Sequence, residues 1–480
     1  MSKPVFLCTR KNRLFCGEAG AFFCPAENKT CFLTIKVALY YCKVAFKFKL
    51  GRDIMEHQKL IVINLGGTSA QSVAQAVRDC GVFSLIVPFS GGQEAIENEK
   101  PLGIIVTGDC IDVPDERAKK TPWLSSIGIP VLEVGAGTPV SVSALMGGMG
   151  KNGLNAFLKS SCGFICDWSV EGYIEEVTDE IKNEIKDERL LLGLSGSVET
   201  SVAAALLSKA VGEQLICIYI NNGLMRKHED TELVKAFSDH NMTFCRINAE
   251  TRFLYKLLGV GDPAKKRRIV EEEYVALFGK EASKHTSTAY FVKGTTYSEL
   301  SVSNGRFDSS IISRIGFSSG GCDFKGIIEP LKMLLRDEVK AVGRLLNLPE
   351  SMLSRQPFPS TGLATRCIGV ITKERLDILR EADAIFREEV ENSPAAKNLT
   401  QFFAVITDTR STGIRNGHTT SEYTVALRAV ISNDASGAEF AELPFELLRT
   451  VSRRITTEVG SVSRVLYDVT DKPPATVEFE

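Results

Sequence analysis

The chain has 480 residues, with 57 Lys and Arg against 59 Asp and Glu, which gives a formal net charge of −2. This length exceeds what one hydrophobic core organises, so two or three domains are predicted. A content of 44% hydrophobic and 24% charged residues is typical of a soluble globular protein and excludes a disordered or membrane-spanning chain. The balanced charge excludes a broad nucleic-acid-binding surface. We therefore expect neither a nucleic acid nor a membrane as a partner.

The first 54 residues differ from the rest because they are rich in Cys, Phe and Lys. The apolar stretch CFLTIKVALYYCKVAFKF is too short, and too often interrupted by Lys, to span a bilayer. Residues 1–54 are therefore predicted to be an extension outside the fold, and Met55 is a candidate for the functional start of the protein. The thirteen cysteines are scattered along the chain and form no metal-spaced cluster with His, which favours a reducing cytoplasm.

Residues 55–160 alternate strand and helix signals. The apolar run KLIVINL is followed by a glycine turn and an amphipathic helix, and FSLIVPF, LGIIVTGD and IPVLEVGAG continue as short apolar strands. This alternation predicts a parallel sheet with crossover helices, in a domain of only about 100 residues.

Residues 161–355 repeat this alternation. They open with an amphipathic helix that Asp167 or Ser169 is predicted to cap, and continue with the strand LLLGLS, the Ala-rich helix SVAAALLSKAVG and the strand LICIYINNG. A doubly wound parallel sheet is predicted, and such sheets bind ligands beyond the carboxyl ends of their strands.

Residues 356–480 have a long helical segment, KERLDILREADAIFREEVE, and strands around FFAVITD, EYTVALRAVI and SRVLYDV. This pattern predicts a compact α+β domain. The predicted fold class is therefore α/β for the first two domains, with an α+β domain at the C-terminus.

The stretch LLGLSGSVETSVAAALL contains a candidate phosphate-binding loop, Ser195 to Ser201. A turn rich in Ser and Gly between a buried strand and a helix presents backbone N–H groups and a helix N-terminus to an anion. The loop lacks the lysine of the G-x-x-x-x-G-K-[ST] motif, so it is not a P-loop of that type. On its own it would also be compatible with a tight turn that binds nothing.

The residues around this loop resemble the GMP synthase family, whose pyrophosphate loop is SGGVDSS where this chain has SGSVETS. The resemblance is nearly continuous from Lys59 to Glu480. It includes the following segments in collinear order: DWSVEGYIEE, NNGLMRKHE, DPAKKRRIV, KGTTYSEL, IIEPLKMLLRDEVKAVGRLLNLPE, RQPFP, READAIFREE, ALRAV and KPPATVEFE.

The resemblance implies three domains: a glutamine amidotransferase domain, here truncated, an ATP pyrophosphatase domain and a C-terminal dimerisation domain. The family uses ATP and Mg²⁺ to adenylate the xanthine oxygen of XMP, and ammonia then displaces AMP to give GMP. The expected protein is therefore a ligase with XMP, ATP and ammonia as its small-molecule partners, and a homodimer.

The amidotransferase domain departs most from the family. Gly135-Ala136-Gly137 stands where the family's cysteine nucleophile belongs, and no His-x-Glu pair follows it. Without a thiolate no thioester intermediate forms, so hydrolysis of glutamine by this chain is not expected. Ammonia would come from solution or from a partner protein.

The resemblance also implies roles for individual residues. Glu199 and Arg314 are the candidate catalytic residues, and Glu199 and Glu299 the candidate Mg²⁺ ligands. The candidate XMP-binding residues are Arg267, Lys472 and Glu478. The candidate ATP-binding residues are those of the loop: Ser195, Gly196, Ser197, Val198, Glu199, Thr200 and Ser201.

Several of these positions are altered relative to the family. Ser197 replaces a glycine, which would cost about 1–2 kcal/mol if that position required a positive φ. Glu199 replaces an aspartate and moves its carboxylate outward, Asn221 replaces an acidic residue, and Ser360-Thr361 replaces a Gly-Pro beside the XMP phosphate. Two alternatives therefore stay open: an impaired homologue that serves as a nucleotide-binding dimeric scaffold, or an ATP pyrophosphatase with another acceptor.

Overall fold

The computed structural model describes residues 57–67, 69–108, 122–135, 148–285, 289–297, 324–432 and 437–480, together with three short strands near the N-terminus. The chain divides into two compact units, residues 1–56 and 57–480. In the first unit the three strands form an antiparallel sheet: β1 (Cys8–Thr9), β2 (Arg13–Phe15) and β3 (Ala21–Phe23). The two domain boundaries inside residues 55–480, after residues 160 and 355, stay predictions.

The second unit begins with a four-stranded parallel sheet in the order β5-β4-β6-β7. The predicted apolar runs form these strands, and every residue of β6 is buried. The elements are β4 (Lys59–Asn64), α1 (Ser69–Arg78), β5 (Phe83–Pro88), α2 (Gly92–Glu99), β6 (Gly103–Thr107), β7 (Val131–Val134) and α3 (Gly148–Ala156).

The second sheet has five parallel strands in the order β10-β9-β8-β11-β12, so the first strand in sequence lies in the middle. This confirms the predicted α/β class. Its strands are β8 (Arg189–Gly193), β9 (Leu215–Asn221), β10 (Thr243–Asn248), β11 (Ala289–Val292) and β12 (Ile327–Ile328).

Helices α4 to α10 accompany the second sheet. The helix before β8 begins after Ser169, whose hydroxyl accepts a hydrogen bond from the Gly172 N–H at 3.0 Å, so Ser169 rather than Asp167 is the N-cap. The helices are α4 (Val170–Ile185), α5 (Val198–Val211), α6 (Glu229–Phe237), α7 (Glu250–Lys256), α8 (Pro263–Ala282), α9 (Arg336–Leu345) and α10 (Glu350–Leu353).

The third sheet is built on a long antiparallel pair, with a short antiparallel strand and a parallel strand beside β14. One continuous hydrophobic core joins the second and third sheets, with Ile218, Phe278, Phe386 and Val425 among its members. The elements are α11 (Lys373–Glu391), β13 (Gln401–Arg415), β14 (His418–Ile431), β15 (Glu439–Phe440), α12 (Phe445–Glu458) and β16 (Val462–Tyr467).

Among the helices in the described part of the chain, none combines the length and the apolar character needed to cross a membrane.

Candidate active site

The predicted phosphate loop joins β8 to α5 at the carboxyl edge of the second sheet. Gly196 has a φ of +84°, in the left-handed region that favours glycine. Ser197 has φ −67° and ψ 160°, which any L-residue adopts, and its hydroxyl accepts a hydrogen bond from the Thr200 N–H at 3.3 Å. The condition under which Ser197 would be strained, a positive φ, is therefore not met. Ser197 is instead the N-cap of α5, which begins at Val198.

Three hydroxyls of the loop bond to one another. The Thr200 hydroxyl lies 3.1 Å from that of Ser195 and 3.1 Å from that of Ser197. In the described part of the chain, the backbone N–H groups of Gly196, Val198 and Glu199 have no hydrogen-bond acceptor. Unpaired N–H groups at the N-terminus of a 14-residue helix form an anion-binding site.

Two residues from distant segments brace this loop. Arg355 donates from Nη1 to the Gly196 carbonyl at 3.0 Å, and its Nη2 lies 3.1 Å from a carboxylate oxygen of Glu232. A Cβ on Gly294 would lie 3.3 Å from the backbone of Glu199 and of Thr200, so a side chain there would require the loop to shift by a few tenths of an ångström. Sequence reasoning assigned no role to Arg355, although RQPFP, one of the segments that carry the family resemblance, contains it.

The loop opens on a cavity of about 1210 Å³ between the second and third sheets. Residues 195–200 line it, and Arg336 and Lys340 contribute from α9. The lining is rich in guanidinium and ammonium groups, as a polyphosphate ligand requires. Its charged residues are Glu199, Arg226, Glu229, Glu271, Arg336, Lys340, Arg355, Arg387 and Glu391.

Arg226 is the most buried cation of this lining. Its Nε lies 3.3 Å from Oδ2 of Asp383, and its guanidinium stacks over the Phe358 ring at 4.6 Å. Burial lowers the pKa of Arg226, and the carboxylate of Asp383 opposes that shift. Its Nη2 has no hydrogen-bond partner among the described residues. The Nε of Arg387 lies 3.5 Å from Oε1 of Glu391, so each of these two arginines lies beside a carboxylate.

A second cavity of about 420 Å³ adjoins the first, because Glu271, Pro359 and Ser360 line both. It brings together two of the three predicted XMP-binding residues, Arg267 of α8 and Glu478 of the C-terminal segment. The full lining is Arg267, Glu271, Pro359, Ser360, Thr361, Thr365, Thr476, Glu478 and Glu480.

The third residue, Lys472, lines neither of these two cavities in the described part of the chain. Its backbone pairs with Ala438 in an isolated antiparallel bridge. The structure therefore places Lys472 apart from Arg267 and Glu478 in a single chain.

Two buried cations fasten the C-terminal segment that forms one wall of the second cavity. Arg366 donates to both carboxylate oxygens of Glu478, at 3.0 and 2.7 Å. Lys266 forms an ion pair with Glu480, and neither cationic side chain is exposed. The Arg366 guanidinium also stacks over the Phe403 ring at 3.9 Å. Glu478 is thus paired with a cation of the same chain. It holds the C-terminal segment in the cavity wall and also lines the cavity.

The remaining residues singled out from the sequence, where the structure describes them, do not line either cavity. Ser201 is buried and does not line either described cavity, and its hydroxyl has no partner among the described residues. Asn221, which replaces an acid, accepts a hydrogen bond from the Gly223 N–H at 3.0 Å, and its neighbour Asn222 lines the larger cavity. The predicted Arg314 and Glu299 lie outside the described residues.

In the first sheet, Gly135 directly follows β7, the strand that precedes the family's nucleophile. Ala136 and Gly137 lie outside the described residues. The expected loss of the cysteine nucleophile therefore stays a prediction from the sequence.

Comparisons with known proteins identify the family of the chain. The family model for the GMP synthase C terminal domain matches residues 388–479, and the model for NAD synthase matches residues 171–401. An NH3-dependent NAD synthetase from Campylobacter jejuni, solved with a nitrate ion, is 18% identical over 38% of this chain and 76% of its own, with a TM-score of 0.30.

Two curated relatives extend over almost the whole fold. The glutamine-hydrolysing GMP synthase of Treponema denticola is 36% identical over 508 positions, which cover 88% of this chain and 97% of the relative. The glutamine-hydrolysing GMP synthase of Finegoldia magna is 35% identical, and the alignment covers the complete length of that relative. Both aligned spans are longer than this chain's 480 residues, so the relatives carry segments that it lacks. The resemblance found in the sequence is confirmed: the chain belongs to the GMP synthase family.

Proposed function

We propose that this protein aminates XMP to GMP at the expense of ATP, with AMP and pyrophosphate as the other products. The observation that carries the proposal is the pair of adjoining cavities. One is built on an anion-binding helix N-terminus, and the other holds Arg267 and Glu478, which family resemblance assigns to XMP.

The reaction has two steps. The xanthine oxygen of XMP attacks the α-phosphorus of ATP, and pyrophosphate leaves. Ammonia then attacks the activated carbon, AMP leaves with the oxygen, and a proton is lost. The residues of the loop bind the β- and γ-phosphates, because Gly196, Val198 and Glu199 offer unpaired N–H groups there. Arg336 and Lys340 supply positive charge where pyrophosphate departs.

The donor set also suits Mg²⁺. Glu199 is a carboxylate in the first turn of α5 that lines the cavity, and carboxylate oxygen is the ligand Mg²⁺ prefers. Glu199 and Glu299 are the proposed protein ligands of Mg²⁺. When bound, the ion would neutralise charge on the phosphates of ATP.

The ammonia is proposed to be free or delivered by another protein, because glycine and alanine replace the nucleophile segment after β7. A cytoplasmic location also stays a prediction.

A homodimer is proposed through the C-terminal domain. Six of its large apolar side chains are exposed in the single chain, among them Ile414 at 78% and Phe445 at 85%. Exposed apolar side chains of this size could be covered in a protein–protein interface. The set is Val370, Ile414, Phe445, Leu466, Val469 and Phe479.

The test is to incubate the purified full-length protein with XMP, ATP, Mg²⁺ and ammonium, and to measure AMP and GMP. Equal amounts of the two products support the proposal. AMP formation with an acceptor other than XMP would favour a different amidation reaction. ATP or XMP binding by calorimetry without turnover would favour the nucleotide-binding scaffold.

A further inference from the structure

A second cluster of reactive side chains lies away from both cavities, where the C-terminal end of α8 meets strand β10. Cys245 projects from β10, Glu281 from the last turn of α8, and His285 from the turn that follows. Each offers one ligand atom, and these three atoms lie within 4.8 Å of one another. None of the three lines either cavity described above.

Two of the three distances within the cluster are close to those between the ligands of one metal ion. The Cys245 Sγ lies 3.7 Å from Nε2 of His285, and that nitrogen lies 3.6 Å from Oε1 of Glu281. Tetrahedral zinc, with bonds of about 2.3 Å to sulfur and about 2.0–2.2 Å to nitrogen and oxygen, separates its ligands by about 3.3–3.6 Å. An ion would therefore need only small side-chain movements.

The residues around the cluster leave the ligand atoms of Cys245, Glu281 and His285 available to an ion. The second oxygen of Glu281 pairs with Lys284 at 2.6 Å, so Oε1 remains for the cluster. Cys245 packs against the hydrophobic core beside α8, and all three side chains are partly buried. Cys217 does not belong to the cluster, because its strand register pairs it with Phe244 and so places it on the opposite face of the sheet from Cys245.

We propose that Cys245, Glu281 and His285 form a zinc site, with water as the fourth ligand. A thiolate, an imidazole and a carboxylate together suit Zn²⁺ better than Mg²⁺ or Ca²⁺, which take oxygen ligands. The ion would fasten the C-terminal end of α8 to the edge strand β10. The N-terminal half of α8 carries Arg267 and Glu271, so the site would hold a helix that lines both nucleotide cavities.

The test uses the full-length protein after removal of metals with a chelator. Zn²⁺ is titrated in competition with a chromophoric zinc chelator, and Co²⁺ is added separately to record its absorption spectrum. We expect one equivalent of zinc and a thiolate-to-cobalt charge-transfer band. C245S should abolish the band, and C245S, E281Q and H285Q should each weaken zinc binding at least tenfold.

Cys80→Ser is the matched control, because Cys80 is also partly buried but lies in the turn after α1, between β4 and β5 of the first sheet. It should keep both the zinc affinity and the cobalt band. The proposal is overturned if E281Q and H285Q bind zinc as tightly as the unaltered protein, or if cobalt binds without a thiolate band. In that case the cluster is a Cys–His hydrogen bond next to an ion pair. E281Q and H285Q keep the test decisive even if C245S fails to fold.

Discussion

Arg78, at the end of α1, and Glu338, in the first turn of α9, form a buried ion pair at 2.6 Å with both side chains almost fully enclosed. The Arg78 guanidinium also donates to the carbonyls of Met333 and Ser84 and lies over the rings of Phe83 and Trp168. This pair fastens the truncated first sheet to the helix whose Arg336 and Lys340 line the cavity. The first sheet is thus joined by a buried ion pair to a helix that packs beside the second sheet.

Glu338→Ala is expected to destabilise the protein by about 3–5 kcal/mol, because it leaves the Arg78 charge buried without its partner. Burial already raises the pKa of Glu338, and Arg78 lowers it. The measurement is urea unfolding followed by Trp fluorescence, since Trp168 donates to Glu338 at 2.7 Å. Glu350→Ala is the control: its bidentate pair with Arg344 is exposed, so the midpoint should barely move. Equal shifts in the two variants would contradict a supporting role for the buried pair.

Gly196→Ala is expected to lower XMP-dependent AMP release at least tenfold. The φ of +84° would be strained by about 1–2 kcal/mol with any side chain, and the backbone of the loop would have to move away from its phosphate-binding geometry. Steady-state kinetics at varied ATP would show the effect.

Ser197→Gly is the matched variant in the same loop. Ser197 has a negative φ and serves as the N-cap, so replacing it with the family's glycine relieves no strain and costs only a few tenths of a kcal/mol. A large gain in ATP affinity from Ser197→Gly would mean that ligand binding changes the loop conformation.

The positions of the strands and of the loop could be predicted from the sequence because both depend on local patterns. Short apolar runs such as that of β4 are strands, and a Gly-Ser turn between a strand and a helix presents backbone N–H groups at the start of that helix. The role of Ser197 could not be predicted, because an N-cap and a strained turn differ only in backbone dihedrals.

The contacts that hold the loop and the cavity lining in place could not be predicted from the sequence for a different reason. Arg355 lies 159 residues after Gly196 in the chain, and no periodicity links them. Arg226 and Asp383 are similarly brought together only by the packing of the second and third sheets. Both arginines lie in segments that carry the family resemblance, NNGLMRKHE and RQPFP, which was the one signal available for them.

The purified chain is expected to release no glutamate from glutamine above a buffer control, while ammonium supports GMP formation. The reason is the replacement of the cysteine nucleophile at Gly135-Ala136-Gly137, after β7. A coupled glutamate dehydrogenase assay measures it. Glutamate release that rises with protein concentration would contradict this expectation.

Phe445→Asp and Ile414→Asp are each expected to convert the proposed dimer to a monomer at micromolar concentration, because a charge on an apolar contact surface costs several kcal/mol when it is desolvated. Light scattering gives the mass. Leu258→Asp is the control, since Leu258 is 70% exposed but lies after α7, outside the C-terminal domain. A monomeric unaltered protein, or dimers in both Asp variants, would contradict the proposed interface.

Arg267→Ala is expected to raise the KM for XMP by roughly 10- to 100-fold and to leave the KM for ATP unchanged. The reason is the loss of a hydrogen bond to a charged group, which contributes about 1.5–3 kcal/mol. Arg267 lines the smaller cavity, away from the phosphate loop. Arg268→Ala is the matched control, because Arg268 is the next residue on α8, is exposed, and faces Glu272 at 3.8 Å. If both variants raise the KM for XMP equally, the effect is a general loss of positive charge. If Arg267→Ala raises the KM for ATP instead, the smaller cavity belongs to the ATP site, and XMP binds elsewhere.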